Sequence, residues 1–100
     1  MENEVLGNNR PVIVRSRDAG VLCGYLEKYS GSTVHLNHAR QMWQWKALKA
    51  GTLLDCAQHG VAVNGSKFST PVESIIIFNA CAIIDCTAEA VDTFGAVKWA

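Results

Sequence analysis

One hundred residues with nine Lys+Arg against nine Asp+Glu, no net charge and 49% apolar side chains describe one folded domain, not a disordered chain. The neutral balance argues against nonspecific DNA binding, which rests on many phosphate contacts. The longest apolar stretch, around Ile75–Ile84, is interrupted by Asn79 and is too short to span a bilayer. The opening MENEVLGNNR has neither a basic region nor an apolar run, so it does not read as a signal peptide. Cysteines stand at 23, 56, 81 and 86 without a CxxC pair, each in an apolar stretch. That usage predicts buried free thiols in a reducing, cytoplasmic setting and no metal site.

In chain order, residues 1–9 end in Gly7-Asn8-Asn9 and read as a flexible lead-in. Val12 to Arg15 suits a strand of period two, and Arg17-Asp18-Ala19-Gly20 is turn chemistry. Val21 to Tyr29 reads as a second strand, in which Gly24 predicts a sharp bend or bulge. After Ser30-Gly31-Ser32 a third strand begins near Val34. Its alternation is broken around Asn37–Arg40, where a bulge is expected. If the strand continues unbroken, Gln41, Trp43 and Trp45 share one face, and Arg40, Met42 and Gln44 the other.

Residues 41–70 read as a long inserted segment. Thr52 and Asp55 form a capping-box pattern that opens a short helix, Leu53–His59, ended by Gly60. Asn64-Gly65-Ser66 is a turn. Glu73–Phe78 and Ala80–Asp85 are one kinked strand or a hairpin pinched at Asn79-Ala80. Thr87 caps a last helix, Ala88–Phe94, with Gly95 as its stop, and Trp99 can pack back or join a neighbour. The prediction is a mainly β fold: a single small, strongly bent barrel over 1–100 with one helix in the insert and one at the C-terminus.

No nucleophile–base pair or paired carboxylates mark a catalytic centre, and His35 and His38, three apart on a strand, point to opposite faces unless a bulge intervenes. No catalytic residue, metal or cofactor is expected. The candidate ligand site is Arg40, Trp43, Trp45, Lys46, Ser66 and Lys67. Stacking on an indole contributes about 1–3 kcal/mol per base, and Arg40 and Lys46 can hold phosphate. Asn64-Gly65-Ser66-Lys67 offers backbone N–H groups, a hydroxyl and a cation, without Walker-loop spacing. The competing reading places one or both indoles in the core or in a subunit interface. Charge is uneven: residues 10–49 carry seven Lys/Arg against two Asp/Glu, and residues 50–100 carry two against five. The basic half can attract a small anion, or the two halves are ordinary solvated faces.

Val12–Val14, Ala19-Gly20, Gly24-Tyr25-Leu26 and Leu36-Asn37-His38-Ala39, followed by the Ile75–Asp85 run, resemble the Sm-like barrel, a bent five-stranded sheet of the SH3-like kind. The chain departs from that family at Tyr29-Ser30-Gly31-Ser32 and at Phe78-Asn79, where the family carries its RNA-binding loops. It also resembles a group of small phage proteins through Val12-Ile13-Val14-Arg15, Ala19-Gly20-Val21, Gly24-Tyr25-Leu26, Leu36 to Arg40, Trp43-Gln44-Trp45 and Ile83-Ile84-Asp85-Cys86-Thr87. That resemblance implies a viral source acting in the host cytoplasm. By analogy it implies a non-enzymatic homo-oligomer that sequesters a nucleotide immune signal, such as a cyclic oligonucleotide, to block host defence. A structural or adaptor phage protein, and an Sm-like RNA-binding ring, are the alternatives.

Overall fold

The computed structural model describes residues 4–98. Six strands and two helices follow in the order β1 (Val5–Ser16), β2 (Gly20–Ser30), β3 (Thr33–Gln44), α1 (Leu53–His59), β4 (Lys67–Phe68), β5 (Val72–Ile77), β6 (Ala80–Asp85) and α2 (Ala88–Ala96). A 3₁₀ turn, Val63–Gly65, precedes β4. The fold is mainly β, as expected. The strand already begins at Val5, so residues 5–9 belong to the sheet and not to a lead-in. Trp99 lies outside the described residues.

All pairings are antiparallel, in the order β4-β3-β2-β1-β6. β5 also pairs with β3, along residues 34–39, while β4 takes the far end of the same edge at Met42 and Gln44. The closed barrel of the sequence reading is not formed: among the described residues β5 pairs with β3, β6 pairs with β1, and no ladder joins β5 to β6. The Ile75–Asp85 run is therefore neither a continuous strand nor a hairpin. Phe78 and Asn79 carry the chain from one edge of the sheet to the other, with Asn79 at φ 58°. Two intervening residues span at most ~11 Å, so the sheet curls until its edges meet at this corner. There the Ser16 hydroxyl donates to the Phe78 carbonyl at 3.2 Å, and Ala80 N–H donates to Ser32 O at 2.9 Å.

Both faces of the central strands are covered, which is why Val12, Ile13 and Val14 are apolar in succession and all buried. Val12, Val14, Leu22, Leu26, Val34, Leu36, Ala39 and Ile77 fill the concave side. Ile13, Cys23 and Met42 face the other way, onto Leu53, Cys56 and Ala57 of α1, Val61, Phe68, and Ala90, Phe94 and Val97 of the α2 region. The insert is the lid over that second core. Its excursion from the sheet is shorter than 41–70, because β3 runs to Gln44 and β4 starts at Lys67.

Local chemistry sets the helices. Thr52 and Asp55 form the reciprocal capping box, and the Gly60 N–H closes α1 on the Cys56 carbonyl with Gly60 at φ 96°. The Thr87 hydroxyl accepts from Ala90 N–H and donates to Gln58 O at 2.8 Å, so a single side chain caps α2 and ties it to the end of α1. Gly95 does not stop α2, which runs through Ala96.

The bend at Gly24 is a packing requirement. The register between β2 and β3 slips between Cys23 and Tyr25. A Cβ at Gly24 would stand 3.1 Å from both Ala39 Cα and Asn37 O, which are backbone atoms that cannot rotate away. We expect Gly24→Ala to lower unfolding stability by about 1–3 kcal/mol in denaturant titration, as overpacking does.

Candidate functional site

The six sequence-predicted residues separate into two groups. Trp43, Lys46, Ser66 and Lys67 gather where the end of β3 meets the 3₁₀ turn and β4. Gln44 pairs with Lys67 in the ladder, and Lys46 N–H donates to Ser66 Oγ at 3.1 Å. The Lys46 stem lies over Gly65, where an added Cβ would come within 3.0 Å of Cδ. Trp43 is 50% exposed, and the Lys67 ammonium sits 5.4 Å from its ring centroid. An exposed indole and a cation therefore share one surface, which is the arrangement expected from sequence.

Ser66 differs from its expected role. It is buried and accepts the Lys46 backbone N–H, so its hydroxyl shapes the turn. Trp45 and Arg40 lie elsewhere. β3 ends at Gln44, the alternation stops there, and Trp45 packs half-buried against the core beneath α1 and α2. It follows the core reading, whereas its neighbour Trp43 follows the surface one.

Arg40 is a structural clamp. Nε donates to Ser69 O at 2.8 Å, Nη1 to Phe94 O at 2.8 Å and Nη2 to Val97 O at 2.7 Å. Its guanidinium lies 5.1 Å from the Phe68 ring centroid. All three nitrogens serve backbone carbonyls, two of them at the C-terminal end of α2, whose last turn has no basic residue of its own. The cation thus meets the negative end of the helix from an adjacent strand. Three of its five N–H groups are engaged in this clamp, so Arg40 sits apart from Trp43 and Lys67 and serves the fold.

A second concavity was not anticipated from sequence. A cavity of about 130 Å³ lies between α2 and the middle of the sheet, with Tyr25, His38, Cys86, Val91, Phe94 and Gly95 among its walls. It shares Tyr25 and His38 with an open groove that also touches Asn9, Asn37 and Glu73. His38 stands at φ 49°, the bulge that the broken alternation forecast, and Asn9 at φ 54°. The available signal was that bulge, because irregular strands often border binding sites.

Cys23, Cys56 and Cys86 are held protonated. Burial pushes Cys23 up to about 11, against the lowering effect of the nearby Arg40 charge. Burial, with Asp55 adding to it, takes Cys56 to about 11. Burial, reinforced by Cys23, Asp85 and Cys56, takes Cys86 to about 12. All four cysteines are free, and among the described residues no group of His, Cys, Asp or Glu is placed to hold a metal ion. Among the described residues the ion pairs Arg10–Asp85, Arg17–Asp18 and Lys28–Glu4 sit at the surface, and Arg10–Asp85 joins the basic half of the chain to the acidic half.

Two outcomes follow. Arg40→Gln should cost roughly 2–4 kcal/mol of stability by calorimetry, since it removes a charge and leaves partly buried carbonyls unpaired. Alkylation of the native protein by iodoacetamide at pH 7, read by intact mass, should modify exposed Cys81 first and leave the three raised-pKa thiols slow until denaturant is added.

Neither the curated proteins nor the solved structures gave a match to the chain. The model of one family, described as "Domain of unknown function (DUF6948)", matches residues 9–94, from the Asn9 bulge to Phe94 on α2. The chain belongs to the DUF6948 family.

Proposed function

We propose that this chain is a non-enzymatic binding protein that sequesters a small nucleotide, in its narrowest form a cyclic oligonucleotide signal of host defence captured by a phage protein. The observation that carries the binding half is Trp43, an exposed indole with the Lys67 ammonium over its ring, and the Lys46 stem lies over Gly65 in the adjoining turn. A nucleotide is a flat base joined to an anion, and these side chains offer one partner for each part. The magnitudes favour exchange of Lys67 for a base. An exposed cation–π contact is worth about 0.5–1 kcal/mol, whereas base stacking on an aromatic side chain is worth about 1–3 kcal/mol. Lys67 then turns from the ring to the phosphate, and Lys46 supplies the second charge. The viral half of the reading rests on the sequence resemblance.

The protonated thiols support the non-enzymatic part, because a thiol with a pKa near 11 or 12 is a poor nucleophile at neutral pH. One further observation favours self-association. β5 lies at the edge of the sheet, and Val72, Ile76 and Phe78 on and beside it are 47%, 49% and 64% exposed. An edge strand with an apolar row is a ready partner for a second copy.

The test is thermal unfolding against a panel of cyclic and linear nucleotides, with native mass spectrometry of the hits for stoichiometry. At 100 times its dissociation constant a ligand should add about 2.7 kcal/mol of stability. Trp43→Ala and Lys67→Ala should abolish that shift, while each unliganded variant stays within about 0.5 kcal/mol of the parent. Silence across the panel rejects nucleotide binding and leaves an interaction protein built on the β5 edge.

A further inference from the structure

We propose that the cleft under α2 is a second binding site, separate from the Trp43–Lys67 surface, which takes one six-membered heteroaromatic ring carrying an amino group. Its size, polarity and backbone each point to that class. The half-open cavity measures about 130 Å³, and Pro11, Val12, Val91 and Phe94 supply apolar wall. A dry cavity of about 150 Å³ is known to hold benzene, so the space matches a single ring. Cys23 and Cys86 also line it, and their burial keeps them neutral, so the floor presents no anion.

The mouth is polar. Tyr25 and His38 belong to both the cavity and the groove outside it, where Asn9, Asn37 and Glu73 stand. The Asn37 amide donates to Asn9 Oδ1 at 3.4 Å, which spans the β2 strand from β3 to β1. Side-chain amides present a donor and an acceptor together, and a carboxylate accepts from an exocyclic amine. A ring with a nitrogen acceptor beside an amino donor complements that set. Glu73 in the groove disfavours an anionic guest, and the guanidinium of Arg40, on the cavity wall, is already committed to three carbonyls. The phosphate end of a nucleotide therefore has no place here, which separates this cleft from the surface proposed above.

The backbone around the mouth is irregular on both sides of Tyr25. Asn9 on β1 and His38 on β3 each adopt positive φ, at 54° and 49°. The β1–β2 register shifts between Leu6 and Arg10, and the β2–β3 register shifts between Cys23 and Tyr25. Left-handed residues other than glycine cost free energy, and bulges that flank one residue from two neighbouring strands re-aim the side chains around it.

Gly95 gives a clean way to close the site. It lines the cavity, it lies within α2, and a Cβ built there meets nothing within 4 Å. A larger side chain at this rim position meets no clash with the fold.

The probes are cytosine and 2-aminopyrimidine, with pyrimidine as the ring that lacks the amino group, followed by two-dimensional amide NMR. Cytosine should shift the Gly24, Tyr25, His38 and Gly95 amides saturably and bind at least fivefold more tightly than pyrimidine. Gly95→Leu should abolish the shifts. Gly95→Ala, a smaller filler and a better helix former, should weaken them and keeps the experiment readable if the leucine variant does not fold. Glu73→Gln should reduce the cytosine-over-pyrimidine preference severalfold. The shifts at Gly24, Tyr25, His38 and Gly95 report this cleft alone, because none of these residues lies on the Trp43–Lys67 surface. Shifts that do not saturate, or that persist in a folded Gly95→Leu variant, overturn the site. An unchanged preference in Glu73→Gln overturns the amino-group reading.

Discussion

The Arg40 guanidinium holds the molecule together at the place where its two layers meet. It leaves β3 on the face opposite the concave core, rests against Phe68, and divides its three nitrogens among the carbonyls of Ser69, Phe94 and Val97. Those carbonyls belong to the β4–β5 connection and to the end of α2. One side chain thereby fixes the strand that carries Trp43, the short strand that carries Lys67, and the helix that roofs the cleft. A part-buried charge is costly unless its donors find partners, and here each guanidinium nitrogen donates to a backbone carbonyl. Lysine has a single head and cannot make the same three-way contact.

A curled sheet with both faces buried explains the rest of the architecture. The concave side closes on itself through aliphatic side chains. The convex side would expose Ile13, Cys23 and Met42 without a cover, so the excursion after β3 and the C-terminal helix supply one. Thr87 and Thr93 stitch those two covers together. The Thr93 hydroxyl accepts from Val61 N–H at 3.0 Å and donates to Ala90 O at 2.7 Å. The cleft is what remains where α2 leaves the sheet uncovered, beside the Gly24 bend.

Two kinds of surface result. One is an exposed indole at the end of β3 with the Lys67 ammonium over its ring, which we propose takes a flat anion. The other is a largely apolar slot with polar residues at its mouth, which we propose takes a neutral ring. They use opposite electrostatics, and Trp43 with Lys67 is separated from Tyr25 with His38 in both sequence and lining residues. Edge strand β5 adds an apolar row suited to self-association.

Much of this was legible in the residue order, because local rules governed it. Alternation with a break at Asn37–Arg40 announced β3 and its bulge, Gly24 announced the bend, and the Thr52/Asp55 box with Gly60 bounded α1 at both ends. Clustered turn residues likewise brought Trp43, Lys46 and Lys67 into one candidate patch. Other features depended on contacts between residues far apart in the chain, which no local pattern encodes. Whether the Ile75–Asp85 strands would pair with each other or with opposite edges of the sheet was a choice between long-range ladders. Trp43 and Trp45 are two residues apart and chemically alike, so only the packing of α1 and α2 could leave one exposed and the other half-buried against the core. Arg40 looked like a free cation until α2 brought its carbonyl-bearing end within reach. The cleft exists only in three dimensions, for its walls come from three strands and a helix that the sequence separates by up to 84 residues, from Pro11 to Gly95.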